Sequence, residues 1–359
     1  MKFVKKIDEL FIMKGRKRGN LQVIFASFLI GCLCALVFFD LVRVAPNKAF
    51  PVEERRKEKV FVLTFGEPLN RESCVSLGTA LNNEYQPVVF TGKLFNVKQE
   101  GASEMQKMDE MKKKKPRVYE MALESKLIGE EDFVIVADLY DVLYLQKESV
   151  LFSKFLEYEN SIGKRVVFVA EKHYHPFHPD YNCPPFTREM VFSLFDESFG
   201  KDRIMRFPNS GIFMGRKRFL REFISAWNFN SRQAPKGRLC DEDQGLAGLT
   251  MLENQEWITM DIKNQFSFQT YSRHYEEVEI TKHEAGNISL FDKETNSFPS
   301  IFHFNGDAWQ GDSLIKYTPV MKKYFDDYPF QKQNEKTFYL DNKLVTFRNV
   351  CSSYDLNHF

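Results

Sequence analysis

The sequence predicts an α/β fold: an open, mostly parallel, Rossmann-like sheet preceded by one N-terminal transmembrane helix. Three observations predict it. From residue 60 onward, short apolar runs of strand-forming residues alternate with helix-length segments. A charge-free stretch at 21–39, "LQVIFASFLIGCLCALVFF", has the length of a bilayer-spanning helix, and nothing later in the chain resembles it. Finally, 359 residues with 43% hydrophobic content suffice for a large packed core. The balance of 50 basic and 49 acidic residues leaves a net charge of +1, so no global field draws in nucleic acid or an acidic surface. Any electrostatic function must be local.

The apolar stretch sets the topology. Lys2, Lys5, Lys6, Lys14, Arg16, Lys17 and Arg18 precede it, which places a cytoplasmic tail at 1–20 and a signal anchor at 21–44, with the remainder lumenal. A cleaved signal peptide or a buried core helix is the alternative reading of the same stretch. The polar, proline-containing segment 45–59 reads as a stem. In an oxidising lumen Cys74, Cys183, Cys240 and Cys351 are available for disulfides, whose pairing the sequence leaves open. One glycosylation sequon, Asn287-Ile288-Ser289, agrees with that side of a membrane.

The elements then follow in order. "VFVLTF" is a buried strand, 74–83 a helix and "QPVVFTG" a second strand, a βαβ beginning. The segment 101–116, "GASEMQKMDEMKKKKP", lacks periodicity and ends on a proline, which predicts a loop becoming helical near Val118. Strand "FVIVAD", helix "ESVLFSKFLEYEN", strand "RVVFVAE", strand "GIFMG" and helix "FLREFISAWNF" continue the alternation.

Asp138 ends the third strand, where ligands bind in open α/β sheets, and Asp141 follows three residues later in a hydrophobic setting. Two carboxylates in one tight turn can face one divalent cation and the phosphates it carries. An Asx-type turn explains the same pair without a metal.

These segments also carry a resemblance. "EEDFVIVADLYDVLYLQ", "RVVFVAEKHYHP", "FPNSGIFMG", "DEDQGLAGLTML", "ITMDIKNQFSFQ" and "PSIFHFNGD" occur in the order and spacing of the glycosyltransferase domain of the procollagen lysyl hydroxylase family and of related procollagen glycosyltransferases. The chain resembles that domain over 60–325, leaving 326–359 as a C-terminal extension. The resemblance implies a GT-A fold that binds a UDP-sugar through Mn²⁺ or another divalent cation. It implies Asp138, Asp141 and His303 as metal ligands, and Thr64, Tyr140, Asn209, Asn305 and Gly306 as contacts to the nucleotide sugar. Read from the residues alone, a single histidine such as His303 is more often a satisfied core or loop residue. Lys115, at the end of a lysine run that otherwise reads as a solvated loop, matches a family lysine that approaches the diphosphate.

The acidic run Asp241, Glu242, Asp243 lines the catalytic pocket in that resemblance, with Asp243 and then Asp241 as the candidate catalytic carboxylate. Capping of a helix start explains it without chemistry. The stretch "EKHYHPFHPDYNC" has no standard zinc spacing and reads as an acceptor-binding loop. The implied function is transfer of glucose or galactose from a UDP-sugar to a protein or glycan acceptor, collagen-like hydroxylysine among them, in the Golgi or endoplasmic reticulum. A membrane-anchored, non-catalytic glycan- or nucleotide-binding protein on the same fold is the alternative.

Overall fold

The computed structural model describes residues 58–66, 69–91, 104–173, 182–183, 186–234, 243–271, 273–282, 288–305, 328, 330–354 and 356. The segments read as tail, anchor and most of the stem lie outside them. Among the described residues, no helix is long and apolar enough to cross a membrane.

The elements in chain order are β1 (Val60–Phe65), α1 (Arg71–Asn82), β2 (Gln86–Phe90), α2 (Glu104–Leu123), β3 (Phe133–Ala137), β4 (Val142–Tyr144), α3 (Glu148–Ile162) and β5 (Val166–Glu171). There follow β6 (Asn182–Cys183), β7 (Phe186–Thr187), α4 (Arg188–Phe199), β8 (Phe207–Arg216), α5 (Lys217–Gln233), α6 (Asp243–Glu253), β9 (Ile258–Asp261) and β10 (Ser267–Gln269). The chain ends with β11 (Val278–Lys282), β12 (Ile288–Asp292), β13 (Ile301–His303), β14 (Thr337–Leu340), β15 (Lys343–Thr346) and α7 (Phe347–Cys351).

Eight strands form the main sheet in the order β15-β14-β2-β1-β3-β8-β5-β9. Pairing is parallel for β14-β2, β2-β1, β1-β3 and β5-β9, and antiparallel where β8 meets β3 and β5 and where β15 meets β14. Six strands therefore run one way, and β8 and β15 run against them. The mostly parallel expectation holds for the sheet as a whole, but the "GIFMG" strand is an antiparallel insertion. Both faces are covered, so the central strands are apolar throughout rather than alternating. Phe61 and Leu63 pack with Tyr119, Phe213 and Trp227 on one face. Val60 and Val62 pack with Ile135, Leu151 and Phe155 on the other.

The expected loop at 101–116 is a correction: α2 runs from Glu104 through Pro116 to Leu123. Proline removes one helix hydrogen bond and crowds the preceding turn. Here the burial of Val118, Tyr119, Ala122 and Leu123 against the sheet outweighs that cost, because tertiary packing rather than local propensity supplies most helix stability. Helix α1 is set locally instead. Asn70 accepts from the Ser73 N–H at 2.9 Å, and the Asn70 N–H donates to Ser73 Oγ at 2.8 Å, a reciprocal cap.

The C-terminal extension supplies β14 and β15 at one edge of the main sheet, with Tyr339 and Leu340 opposite Val88 and Val89. A disulfide joins Cys74 on α1 to Cys351 on α7 across 277 residues. Cross-links of this kind stabilise by about 2–4 kcal/mol through the unfolded chain they constrain.

A second sheet positions the site. It has the order β10-β13-β4, with His303 opposite Val142 and Gln269 beside His303. Because β4 leaves β3 through the 138–141 turn, this pairing sets a histidine more than 160 residues downstream beside Asp141. The Phe304 N–H donates to the Asp141 carbonyl at 2.8 Å and fixes the register.

Candidate functional site

Asp138 follows β3 directly, and its N–H donates to the Gly211 carbonyl of β8 at 2.8 Å. The Asp138, Asp141 and His303 ligand atoms all lie within 4.8 Å of one another. His303 Nε2 is 3.4 Å from Asp141 Oδ2 and 4.0 Å from Asp138 Oδ2. His303 Nδ1 sits 2.7 Å from Gln269 Oε1, while the Gln269 amide nitrogen donates to Ser267 Oγ. That arrangement puts the ring proton on Nδ1 and turns the Nε2 lone pair toward two carboxylates.

Nε2 is buried, and among the described residues it has no hydrogen bond beyond the long 3.4 Å approach to Asp141 Oδ2. A lone pair facing two anions in a desolvated setting is costly unless a proton or a cation stands between them. Burial lowers the His303 pKa, but the fields of Asp141, Asp138 and Glu171 outweigh it and raise the pKa above its ordinary value. Burial also raises the Asp138 pKa, with Asp141 adding to it and Lys115 and His303 opposing. Two carboxylate oxygens and one imidazole nitrogen suit Mn²⁺ or Mg²⁺, and the residues present fit such an ion.

Two glycines make room for the cluster. A Cβ on Gly211 would lie 2.6 Å from His303 Cε1 and 2.7 Å from Asp138 Oδ2, so β8 passes the site only without a side chain. A Cβ on Gly66 would lie 2.5 Å from Tyr140 Oη, which brings Tyr140 against the end of β1.

Lys115 reaches the cluster from α2. Its ammonium is 2.9 Å from Asp138 Oδ1 and 3.1 Å from Asp243 Oδ2. Burial disfavours its charge, but Asp138 and Asp243 overcome this and keep its pKa well above normal. Asp243 opens α6, is 4% exposed, and accepts from Ser210 Oγ at 3.1 Å. Lys115 thus spans a proposed metal ligand and the first candidate catalytic carboxylate. Thr64 is buried on β1, and its Oγ1 has no hydrogen-bond partner among the described residues. Asp241 and Gly306 lie outside the described residues, as do His175 and His178.

Sequence reasoning missed Glu171. Its Oε2 accepts from the amides of Asn209 at 3.1 Å and Asn305 at 2.7 Å, and its Oε1 accepts from Gln244. Asn209 in turn accepts from the Gly211 N–H at 2.8 Å, and Asn305 from the Tyr271 N–H at 3.0 Å. Glu171 therefore ties β8, α6 and the segment after His303 to the end of β5, and Asn209 and Asn305 both spend an amide on it. A signal was present: "RVVFVAE" ends on a carboxylate just as "FVIVAD" does.

With this geometry in place, comparison with known proteins gives one finding. The family model described as the PLOD GT domain, the glycosyltransferase domain of procollagen lysyl hydroxylases, matches residues 73–325. No curated protein matches the chain.

Proposed function

The chain belongs to the PLOD GT domain family of glycosyltransferase domains, and on that premise we propose that it is a metal-dependent hexosyltransferase. It takes glucose or galactose from a UDP-sugar and passes it to a protein or glycan acceptor. One observation carries the metal dependence: the buried His303 Nε2 converges with the Asp138 and Asp141 carboxylates, all three ligand atoms lying within 4.8 Å of one another. These three residues would hold a divalent cation such as Mn²⁺, which when bound supplies Lewis-acid stabilisation of the departing diphosphate.

The remaining roles belong to the chain's own side chains. Thr64 and Tyr140, at the ends of β1 and β3, flank the nucleotide. Lys115 offers an ammonium to the diphosphate and pairs with Asp243 at 3.1 Å. Asp243 then either accepts the proton of the acceptor hydroxyl or stabilises positive charge on the sugar. Asn209, Asn305 and Gln244 are held in place by Glu171.

The same reading puts the catalytic domain in the lumen of the Golgi or endoplasmic reticulum behind the anchor at 21–44. The Cys74–Cys351 disulfide supports an oxidising compartment. Incubation of the full chain with a panel of UDP-sugars and Mn²⁺, scored for UDP release and for acceptor glycosylation, tests the proposal. Asp243→Asn should retain UDP binding while turnover falls by about a thousandfold, within the range of a lost acid–base group. UDP binding without any sugar transfer or hydrolysis across the panel would favour the non-catalytic alternative.

A further inference from the structure

Two side chains of the C-terminal extension reach the end of the main sheet where the candidate site lies, and they have no part in the chemistry proposed above. Strands β1, β2 and β3 run parallel, so the segments that leave β1 and β2 start on the same side of the sheet as Asp138. Ligands in open α/β sheets bind beyond these carboxyl ends. The extension itself lies outside the residues 73–325 that carry the family match.

Asp341 holds the segment after β2. Leu340 pairs with Lys343, so Asp341 and Asn342 make a two-residue hairpin turn between β14 and β15, with φ of 49° and 64°. Asp and Asn tolerate this left-handed backbone, which fits the twist of the flanking strands. Because β14 runs parallel to β2, the turn arrives beside the end of β2. There the Asp341 N–H donates to the Val89 carbonyl at 2.9 Å. Its carboxylate accepts from the Thr91 N–H at 2.8 Å and from the Thr91 hydroxyl at 2.7 Å. Thr91 follows Phe90, whose carbonyl accepts from the Gly66 N–H at 3.1 Å, so the same anchor reaches the end of β1.

Tyr354 holds the segment after β1. Its hydroxyl donates to the Leu69 carbonyl at 2.7 Å, just before Asn70, the cap of α1. The Cys74–Cys351 disulfide ties the chain to α1 three residues before Tyr354. One hydrophobic cluster contains Phe347 and Cys351 of α7 together with Phe304 and with Leu139 of the 138–141 turn, and Leu69 and Tyr354 pack against it. The extension and the turn that carries Asp138 and Asp141 therefore share a core.

We propose that Asp341 and Tyr354 are positioning residues for the nucleotide sugar: through them the C-terminal extension clamps the segments after β1 and β2 in the shape that receives the donor. The inference rests on the glycosyltransferase reading and extends it to residues that touch no substrate. Segments fixed in advance lose little freedom when a ligand arrives, so the clamp acts on affinity.

The test titrates the full chain in detergent and Mn²⁺ with UDP by calorimetry, and follows amide hydrogen exchange on the same proteins without UDP. Asp341→Gly removes the carboxylate and keeps a residue that accepts positive φ, and Tyr354→Phe removes the hydroxyl and keeps the ring. Each should weaken UDP binding by about fivefold, the range of one or two lost hydrogen bonds. Exchange should rise at Thr91 in the first variant and at Asn70 in the second, while Phe213 of β8 exchanges as in wild type. Asp341→Asn keeps the turn and offers Thr91 both an acceptor and a donor, so it should bind UDP nearly as wild type does. A uniform rise in exchange with unchanged UDP affinity marks a structural role and overturns the clamp. A local rise with unchanged UDP affinity overturns it as well, because the two segments would then not serve the donor. Those results presuppose a wild type that binds UDP; one that binds none sinks the donor reading and the clamp with it.

Discussion

Two buried charge clusters in this molecule have similar membership and opposite states of completion. Arg273 meets Asp292, Glu277 and Glu294, with Lys172 on the same glutamates: three carboxylates against two cations. Asp292 also accepts from Asn264 at 3.1 Å, Thr295 at 2.7 Å and the Glu294 N–H at 3.1 Å. Burial works to raise its pKa, but Arg273 and the other donors lower it below the ordinary carboxylate value. At the other cluster Lys115 pairs with Asp138 and Asp243, and among the described residues His303 Nε2 has no hydrogen bond. There burial wins at Asp138, whose pKa is raised. In the first cluster the protein's own donors surround Asp292, whereas in the second the histidine nitrogen and the two carboxylates leave a place for a proton or a cation. Charge burial alone therefore does not separate the two clusters; the partners that each charge finds do.

Removing a member of the open cluster is the sharpest way to break this contrast. His303→Ala and Asp141→Ala should each lower Mn²⁺-dependent UDP binding and transfer by about a thousandfold, and the double variant should lose little more, because the ligands act as one unit. His303→Ala should also lose some stability without metal, since it strands the buried Gln269 Oε1 that Nδ1 faces at 2.7 Å. Titrating UDP affinity against Mn²⁺ for the three variants checks this. An unaltered Mn²⁺ curve in folded His303→Ala would return the residue to the core.

Opening the closed cluster should give the opposite pattern. Arg273→Met leaves Asp292 buried without its main partner, and losses of about 3–5 kcal/mol are usual for one half of a buried pair. Denaturant unfolding measures the loss. The Mn²⁺ dependence of whatever protein remains folded should match wild type, and a shifted Mn²⁺ curve would show that the two clusters are coupled.

Asp261 is an intermediate case and gives the smallest effect. Its Oδ2 accepts from the Phe266 N–H at 2.7 Å, but its buried Oδ1 has no hydrogen-bond partner among the described residues. Burial, against the backbone donors and the field of Lys154, raises its pKa to about 6. Between its unfolded value and about 6 the folded protein binds more protons than the unfolded chain, so this group's contribution to stability declines as pH rises through that window. The expected decline is about 2 kcal/mol, and Asp261→Asn should flatten it. Unfolding curves taken from pH 4 to pH 7 on both proteins make the comparison, and parallel curves would count against the assignment.

The sequence by itself determined five strands of the main sheet, β1, β2, β3, β5 and β8, and the position of Asp138 at a strand end, while β9, β14 and β15 were not read from it. Runs such as "FVIVA" carry their strand preference locally, and a doubly covered sheet makes the central strands apolar along their length. It also carried the family resemblance, and through it the suggestion that His303 belongs with Asp138 and Asp141. Tertiary structure decided what that suggestion means physically. Only the β13–β4 register sets His303 beside Asp141, and only the Gln269 contact turns Nε2 toward the carboxylates. Tertiary structure also decided that Lys115 lies on a helix rather than a loop, since the local signals at Pro116 point the other way and are outweighed by packing of Tyr119 and Leu123. For Glu171 the sequence showed only its place at a strand end, and its role waited on the fold: its three amide partners come from segments 38, 73 and 134 residues away, and hydrogen bonds over such separations exist only once the chain has folded.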